Sequence, residues 1–378
     1  MTQILADHLR DQGHRVCIAF PATRSHRPDL NAVPVFGHPS IRYEKAFNGH
    51  ECVAVGTVFP ELEFTYSRPS RLWQSLIEEH DFHVVASGTP VMAAPLARKG
   101  IPHLVWCASD VSGDRIDRQK SYAFGRRSVD RFIVMPRLES QEHQVLDGNG
   151  RIMAISPYAK QCLTKRSGPQ RRDIGVLNIP TDMDFFNPPK HHEPDWKLGF
   201  AGRLSDPRKN ALLLLDVVAK IHRSGKDVTL AVTGEATPEL AAAITRRNLD
   251  GIVTFAGVLN RPDLRDFYQN LDVFVIPSFQ EGHAIVGVEA MACGVPVVST
   301  RCGGPEAYVR DHENGYLCGF DVKEMTDRIK GICNAPGNRQ TMSDNARKSV
   351  VDEFGVARFR LHLEQVWHET FGNALAGC

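Results

Sequence analysis

Short runs of apolar and β-branched residues recur along this chain, and longer segments with helical spacing separate them. A short apolar run bounded by turn residues is typical of a strand covered on both faces. The runs predicted to be such strands are HRVCIAF, FHVVAS, HLVWCA, RFIVM, KLGFAG, VTLAVTG, IVTFAG, DVFVIPS and VPVVST. Helical spacing follows in segments such as NALLLLDVVAKIHRSG and TPELAAAITRRN. This alternation predicts βαβ units, and therefore an α/β fold with parallel sheets.

The two ends of the chain carry their own patterns. The first twenty residues predict a helix, a stop at Gly13 and then a strand, although an α/β domain usually opens on a strand. The segment 357–371 has helical spacing that gathers apolar side chains near one face. We expect residues 356–378 to form a helix that packs back on the body of the protein.

Chain length and proline density predict two domains. A chain of 378 residues is too long for one compact core. Helix and strand signals vanish at NPPKHHEPDW, residues 187–196, which predicts a linker. The first domain is then 1–186 and the second 197–355.

Composition excludes several classes of protein. The net charge of +1 gives no overall attraction to nucleic acid. Nine cysteines without a Cys-x-x-Cys pair favour free thiols in a reducing compartment and no metal site. Neither a secretory leader nor an apolar run of membrane-spanning length is recognisable. We therefore expect a cytoplasmic protein.

Basic residues outnumber acidic ones between positions 115 and 172. A solvated face is the common explanation of such a run. The alternative is a surface that meets an anionic acceptor or the headgroups of a lipid layer at the inner face of the membrane.

The most informative stretch is PSFQEGHAIVGVEAMACGVPVVST, residues 277–300. It predicts a strand end, a loop with Glu281 and Gly282, and a helix from near His283. Ligands of parallel sheets bind at the carboxyl ends of strands, and the first turn of a helix attracts phosphate. Glu281 is then suited to sugar hydroxyls, and Glu289 two turns along to a ribose diol. The alternatives are a helix cap for Glu281 and a basic partner for Glu289.

A second stretch, GFAGRLSDPRKN, leads from a strand into a helix start. Arg203 and Lys209 there can neutralise a diphosphate, each through charge-assisted bonds worth about 1.5–3 kcal/mol. The alternative is two surface cations near a helix start, but cations are not favoured electrostatically at a helix N-terminus, and this favours a ligand role.

Together, GRLSDPRKN and EGHAIVGVEAMACGVPVV resemble the motifs of the retaining GT-B glycosyltransferases of family 4. The resemblance is specific over residues 198–318. It implies two Rossmann-like domains with parallel sheets facing a central cleft, and a sugar nucleotide held mainly by the second domain.

The resemblance also implies roles for individual residues. Arg203 and Lys209 would grip the diphosphate and Glu281 would hold sugar hydroxyls; these three form the expected catalytic group. The expected donor-binding residues are Gly202, Gly257 near the base, Gly282, the backbone of His283, Ala284 and Ile285, and Glu289 at the ribose. No metal would be needed, because the basic pair and the helix dipole replace it.

Three departures from the family pattern stand out. His283-Ala284 replaces the usual Phe-Gly, so that the His283 ring either touches the ligand or packs inside. Ala108 stands where many members have a sugar-contacting histidine, with Ser109 or Asp110 as substitutes. The family's first strand and glycine-rich loop have no counterpart before Met1.

The function implied is retaining transfer of a sugar from a nucleoside-diphosphate sugar, a UDP- or GDP-sugar, to a carbohydrate or lipid-linked acceptor. Synthesis of cell-surface polysaccharide or glycolipid is the setting that the resemblance implies. The alternative is a catalytically inactive homologue or partner subunit that only binds the nucleotide sugar. A dinucleotide dehydrogenase is excluded, since no Gly-x-Gly-x-x-Gly follows a strand.

Overall fold

The structure is a computed structural model that describes residues 1–23, 26–32, 38–68, 70–115, 122–168 and 173–372. The chain divides into two compact units. Unit 1 comprises Met1–Leu177 and Arg360–Cys378, and unit 2 comprises Asn178–Phe359.

Strands and helices alternate through both units. The strands are β1 (Cys17–Pro21), β2 (Ile41–Ala46), β3 (His50–Val55), β4 (Val84–Ser87), β5 (Leu104–Cys107), β6 (Arg151–Ala154), β7 (Gly175–Val176), β8 (Lys197–Phe200), β9 (Thr229–Val232), β10 (Val253–Phe255), β11 (Val273–Ile276), β12 (Val297–Thr300) and β13 (Gly315–Cys318). The helices are α1 (Thr2–Asp11), α2 (Arg71–Glu78), α3 (Ala94–Lys99), α4 (Val111–Arg115), α5 (Phe124–Val129), α6 (Met135–Leu146), α7 (Pro157–Arg166), α8 (Ala211–Arg223), α9 (Pro238–Arg246), α10 (Arg261–Gln269), α11 (Ile285–Ala292), α12 (Val322–Cys333), α13 (Pro336–Phe354) and α14 (Val356–Phe371).

Unit 1 contains two sheets. One has the order β1-β3-β2, with β1 parallel and β2 antiparallel to β3. The other is parallel, in the order β4-β5-β6-β7. The last helix, α14, contributes Trp367, whose ring lies 5.3 Å from that of Phe82 and 5.1 Å from that of His14 between centroids. The later turns of α14 therefore pack on unit 1, whereas residues 373–378 of the predicted helix 356–378 lie outside the described residues.

Unit 2 is built on one parallel sheet of six strands in the order β10-β9-β8-β11-β12-β13. Apolar side chains cover both faces of this sheet, since one cluster gathers around α8 and α12 and another around α11 and α13. Successive strands run outward from β8 to β10, and the chain then returns to place β11 on the other side of β8. The strand order therefore reverses between β8 and β11, and this is where open α/β sheets bind their ligands.

One predicted strand, RFIVM at residues 131–135, is wrong. These residues continue α5 through a π-helical turn, Asp130–Val134, into α6. Val134 is buried, whereas Phe132 and Ile133 face solvent. A five-residue apolar run cannot by itself distinguish a strand from a helix segment. The other eight predicted strands coincide with β1, β4, β5 and β8–β12.

The predicted linker, residues 187–196, belongs to unit 2, because the division of the chain falls earlier, after Leu177. Buried Asp272 anchors this segment, since its carboxylate accepts hydrogen bonds from the backbone N–H groups of Asp195 and Lys197, each at 2.9 Å. His192 bonds the same carboxylate at 2.8 Å. Proline content therefore marks irregular backbone here and not the boundary between compact units.

The described ranges contain neither a candidate membrane-spanning helix nor a candidate metal cluster. Among these residues, no helix has the length and apolar character needed to cross a membrane. In the same ranges no three His, Cys, Asp or Glu side chains cluster in a way that could hold a metal ion. The eight cysteines that lie in them form no disulfide bond with one another.

Candidate functional site

The site of unit 2 is built from the loops that follow β8 and β11. These two loops touch through the backbone, since Phe279 N–H donates to Arg208 O at 2.7 Å. The side chain of Asn210 also donates to Pro277 O at 3.1 Å. Asn210 lies just before α8 in the left-handed region, with φ 49°, a conformation that asparagine tolerates better than most residues. The neighbouring strands thus place their two loops side by side.

The two loops are joined by a pair of opposite charges. Lys209 Nζ lies 2.7 Å from Glu281 Oε1, and both side chains are largely covered by protein. Ser278 Oγ donates to the same oxygen at 2.6 Å. The Glu281 carboxylate therefore caps no helix and is paired with the lysine, which the sequence expected to serve a different part of the ligand.

Arg203 lies on the exposed side of the loop after β8. No carboxylate in the described ranges lies within the 4.0 Å of its guanidinium that defines an ion pair. By contrast, Arg208 in the same loop is held by Asp206 at 2.7 Å. Arg203 thus keeps its charge available at the carboxyl end of the central strand.

A strained backbone turn starts helix α11. Ala284 has φ 56° and ψ 63°, a left-handed conformation that costs a residue with a Cβ roughly 1–2 kcal/mol. Its carbonyl accepts hydrogen bonds from Tyr308 Oη and Gly287 N–H, both at 2.9 Å. Gly304 supports the turn from the other side, because a Cβ at Gly304 would stand 2.6 Å from the backbone of His283. Several contacts therefore hold one strained residue in place.

The turn leaves backbone donors unused. The N–H groups of His283, Ala284 and Ile285 donate to no other group in the part of the chain that the structure describes. They lie at the N-terminus of a helix of eight residues, where the helix dipole adds partial positive charge. This arrangement suits an anion.

The His283 side chain packs inside unit 2. Its ring is 3% exposed and lies 6.0 Å from Tyr308 and 5.5 Å from Phe354 between centroids. Within the described residues neither ring nitrogen has a hydrogen-bond partner. Burial lowers the pKa of His283 to about 4, so the ring is neutral at physiological pH. Of the two alternatives that the sequence left open, the structure shows the packed one.

A cavity of about 420 Å³ opens beside these loops, a size within the range of small-molecule sites. Its walls come from the turns after β8, β9 and β10, with one side chain each from α10 and α11. They include Gly202, Arg203, Gly234, Gly257, Leu264 and Val286. The cavity-lining Gly202 lies beside the ion pair, since a Cβ there would stand 3.3 Å from Lys209 Cε.

Glu289 lies one turn beyond Val286 on α11, so it projects from nearly the same helix face as this cavity-lining residue. Its Oε2 accepts a hydrogen bond from Tyr268 Oη at 2.9 Å, and Tyr268 follows the cavity-lining Leu264 by one turn of α10. Burial raises the pKa of Glu289 to about 7, although the bond from Tyr268 and the charge of Arg261 oppose that rise. Its partner is thus a tyrosine and not the basic residue that the sequence offered as an alternative.

Sequence reasoning missed the residues that support the site. Ser278, Tyr268 and Tyr308 each bond a group of the site, but they lie 3 to 24 positions from it in sequence. A serine or tyrosine in an apolar segment carries no local signal of such a partner. Only Ser278 could have been found from the sequence, because it lies three positions before Glu281 in the same loop.

The substitutes for a sugar-contacting histidine belong to unit 1. Ala108, Ser109 and Asp110 follow β5, and buried Asp110 accepts hydrogen bonds from Gly113 N–H at 3.3 Å and Ser109 Oγ at 3.4 Å. These bonds stabilise the first turn of the next helix. The contacts of Asp110 are therefore those of a helix-start residue within its own unit.

Comparison with known proteins shows which proteins unit 2 is similar to. Residues 195–335 match the family model of the Glycosyl transferases, group 1. D-inositol 3-phosphate glycosyltransferase of Kribbella flavida is 29% identical over 225 residues, which cover 54% of this chain and 53% of that protein. The protein of the same name from Mycobacterium avium is 30% identical over 211 residues, covering 52% and 49%. The match thus spans about half the length of these curated relatives.

Solved structures extend the likeness to the fold of both units. Sucrose-phosphate synthase of Thermosynechococcus elongatus has a TM-score of 0.73 at 18% identity, covering 98% of this chain and 92% of that one. HepE of Anabaena, solved in complex with UDP, has a TM-score of 0.70 at 16% identity, covering 98% and 96%. These neighbours are GT-B glycosyltransferases, and the predicted fold class is confirmed.

The strain at Ala284 predicts that Ala284→Gly raises the free energy of unfolding by about 0.5–1 kcal/mol, because glycine adopts the left-handed conformation without the Cβ clash. Urea unfolding at neutral pH measures it. The control is Ala241→Gly on exposed α9, where the same exchange should lower the free energy by about 1 kcal/mol. Losses of equal size in both variants would show that Ala284 is not strained.

His283→Phe should remove a pH dependence of stability. The imidazole stays neutral in the folded chain down to about pH 4, but in the unfolded chain it binds a proton below its ordinary pKa of 6.5. Its contribution is therefore complete above pH 6.5 and is lost as pH falls towards 4, by up to about 3 kcal/mol. Phenylalanine does not titrate, so the variant should gain stability over the parent across that window. Exposed His222→Phe is the control and should leave the pH profile unchanged.

Proposed function

We propose that this chain transfers a glycosyl group from a nucleoside-diphosphate sugar to an acceptor hydroxyl, with retention of configuration and without a metal ion. The observation that carries the proposal is the placement of three elements at the edge of one parallel sheet. These are Arg203, which has no carboxylate partner in the described ranges, the N-terminus of α11 next to the cavity-lining Val286, and the Lys209–Glu281 pair next to the cavity-lining Gly202.

The diphosphate would be held by charge and by backbone. Arg203 lines the cavity, and the free N–H groups of His283, Ala284 and Ile285 point from the start of α11. Lys209 would share its charge between Glu281 and a phosphate oxygen. As the bond to the leaving phosphate breaks, negative charge grows on it, and cations and N–H groups already in position stabilise that charge.

The base and the sugars would occupy the rest of the site. Gly257 lines the cavity after β10, where a residue without a side chain leaves room for a planar base. Glu289 would accept bonds from the ribose diol, and Glu281, with Gly282 beside it, would accept bonds from hydroxyls of the transferred sugar. UDP is the first nucleotide to test, because HepE was solved in complex with UDP.

We propose three classes of molecule as the acceptor. We keep a carbohydrate or a lipid-linked molecule, and we add an inositol phosphate, since the curated relatives are named for D-inositol 3-phosphate. We also keep the proposal of a cytoplasmic enzyme with peripheral contact at the inner face of a membrane. Within the basic region 115–172, residues 116–121 and 169–172 lie outside the described residues.

Arg203→Ala should lower the turnover of donor sugar by about 10²–10³-fold, because it removes a positioned charge from the leaving diphosphate. Calorimetric titration with UDP, GDP and ADP would first identify the nucleotide, and transfer or slow hydrolysis of the matching sugar nucleotide would then be followed. Arg246→Ala, at an exposed position on α9, is the control and should keep the parent rate. Nucleotide binding without any transfer to the acceptors tried would support the inactive binding homologue instead.

Nucleotide affinity should rise with pH in a way that depends on Glu289. Its pKa of about 7 means that the ionised, accepting form grows from a minority to a majority between pH 6 and 8, a change of about tenfold in affinity. The nucleotide phosphate also titrates near pH 6, so the readout is the difference between the parent and Glu289→Gln. In Tyr268→Phe, loss of the hydroxyl that stabilises the carboxylate should move the midpoint upward. Parallel profiles for parent and Glu289→Gln would remove the ribose role.

A further inference from the structure

The helical run 124–146 in unit 1 exposes an apolar surface that its own fold leaves uncovered. Phe124, Phe132 and Ile133 are 86%, 70% and 40% exposed. The opposite side of the same run is buried, with Val134 in a cluster between the helix and the rest of the unit. Large apolar side chains are therefore present on both sides of one helical run, although only one side has a partner within unit 1.

Arginines surround the exposed apolar residues. Arg127, Arg131 and Arg137 are all exposed. The guanidinium of Arg131 lies 5.6 Å from the Phe132 ring centroid, and Arg137 donates to Ile133 O at 3.0 Å. We call Phe124, Arg127, Arg131, Phe132, Ile133 and Arg137 the Phe132 surface.

Acidic side chains of this run are engaged away from the surface. Buried Asp130 is paired with Arg115, and Glu139 lies 3.0 Å from Arg166 in an ion pair. In the described ranges, neither Arg131 nor Arg137 has a carboxylate within ion-pair distance. The Phe132 surface is therefore both apolar and positively charged.

We propose that the Phe132 surface docks on an anionic phospholipid bilayer. Exposed phenylalanine and isoleucine side chains would enter the boundary between headgroups and acyl chains, and the arginines would meet the lipid phosphates. Helical surfaces that lie in a membrane interface combine these two attractions, since apolar burial and charge each contribute part of the binding.

Charge decides between this occupant and the others. A second copy of the chain would bring two sets of arginines together, and like charges at an interface are unfavourable. The phosphates of nucleic acid would pair with the arginines, but nucleic acid would not bury the apolar side chain of Ile133. A bilayer with anionic headgroups satisfies the charges and the apolar side chains together. The inference rests on the peripheral membrane contact included in the proposed function and assigns residues to it, but it concerns a different unit from the proposed donor site and does not depend on transferase activity.

Vesicle flotation of the full chain tests the proposal. The parent should bind phosphatidylcholine vesicles that contain about a third phosphatidylglycerol at least tenfold more strongly than pure phosphatidylcholine, and added salt should weaken the binding. Phe132→Ser/Ile133→Ser should lose about tenfold or more through apolar burial. Arg131→Gln/Arg137→Gln should lose the preference for anionic vesicles. Circular dichroism and thermal unfolding of each variant separate lost binding from lost fold.

Matched controls come from exposed positions elsewhere. Leu361→Ser removes a 65% exposed apolar side chain, and Arg223→Gln/Arg246→Gln removes two exposed arginines of unit 2. Both should bind vesicles as the parent does. Equal binding of the parent to neutral and anionic vesicles, or unchanged binding by folded Phe132 and Arg131 variants, would overturn the proposal. So would parent self-association in light scattering that Phe132→Ser/Ile133→Ser abolishes, because the occupant would then be a second copy.

Failure of the donor site would look different. Nucleotide titration reports on unit 2 alone, and the Arg131 variants should leave it unchanged. Loss of vesicle binding with intact nucleotide binding would therefore reject only this surface, and the reverse result would reject only the proposed donor site.

Discussion

The contact between Lys209 and Glu281 is the interaction on which the site depends. It joins the loops after β8 and β11 at the point where the strand order of the sheet reverses. A largely buried carboxylate is costly unless a cation and hydrogen bonds compensate it, and here Lys209 and Ser278 do so. Lys209 is engaged by this carboxylate, whereas no carboxylate in the described ranges lies within ion-pair distance of Arg203. One ion pair thus holds the two loops together, and it leaves Lys209 and Arg203 in different electrostatic environments.

Backbone conformation sets the second condition. The start of α11 presents unused N–H groups only because Ala284 turns the chain through a left-handed residue, and several contacts hold that turn. Tyr308 bonds the Ala284 carbonyl, the His283 ring fills the space against Phe354, and Gly304 admits the His283 backbone. A local strain of this kind persists only where its surroundings enforce it. The packed core behind the turn therefore supports the backbone N–H groups that the proposed donor site would use.

The sequence was sufficient for five of the six strands in the sheet of unit 2, β8 to β12, whereas β13 was not predicted. Continuous apolar runs and a glycine at each strand end are strong signals, and they located β8, β11 and the start of α11. The ion pair between Lys209 and Glu281 could not be predicted from the sequence, because the two residues lie 72 positions apart. The tyrosine partner of Glu289 was hidden in the same way, and the sequence left open whether the His283 ring touches a ligand or packs inside.

The failure at residues 131–135 has a physical cause and a consequence. A strand buried on both faces and a helix that is apolar on two sides show the same short pattern in the sequence, because each has consecutive large apolar residues. The usual assumption that such residues lie inside then selects the strand. In the structure one of these sides packs on unit 1 and the other, with Phe132 and Ile133, meets solvent. The Phe132 surface is therefore the side of this run that could meet a partner outside the fold, and the arginines around it define the charge that such a partner would carry.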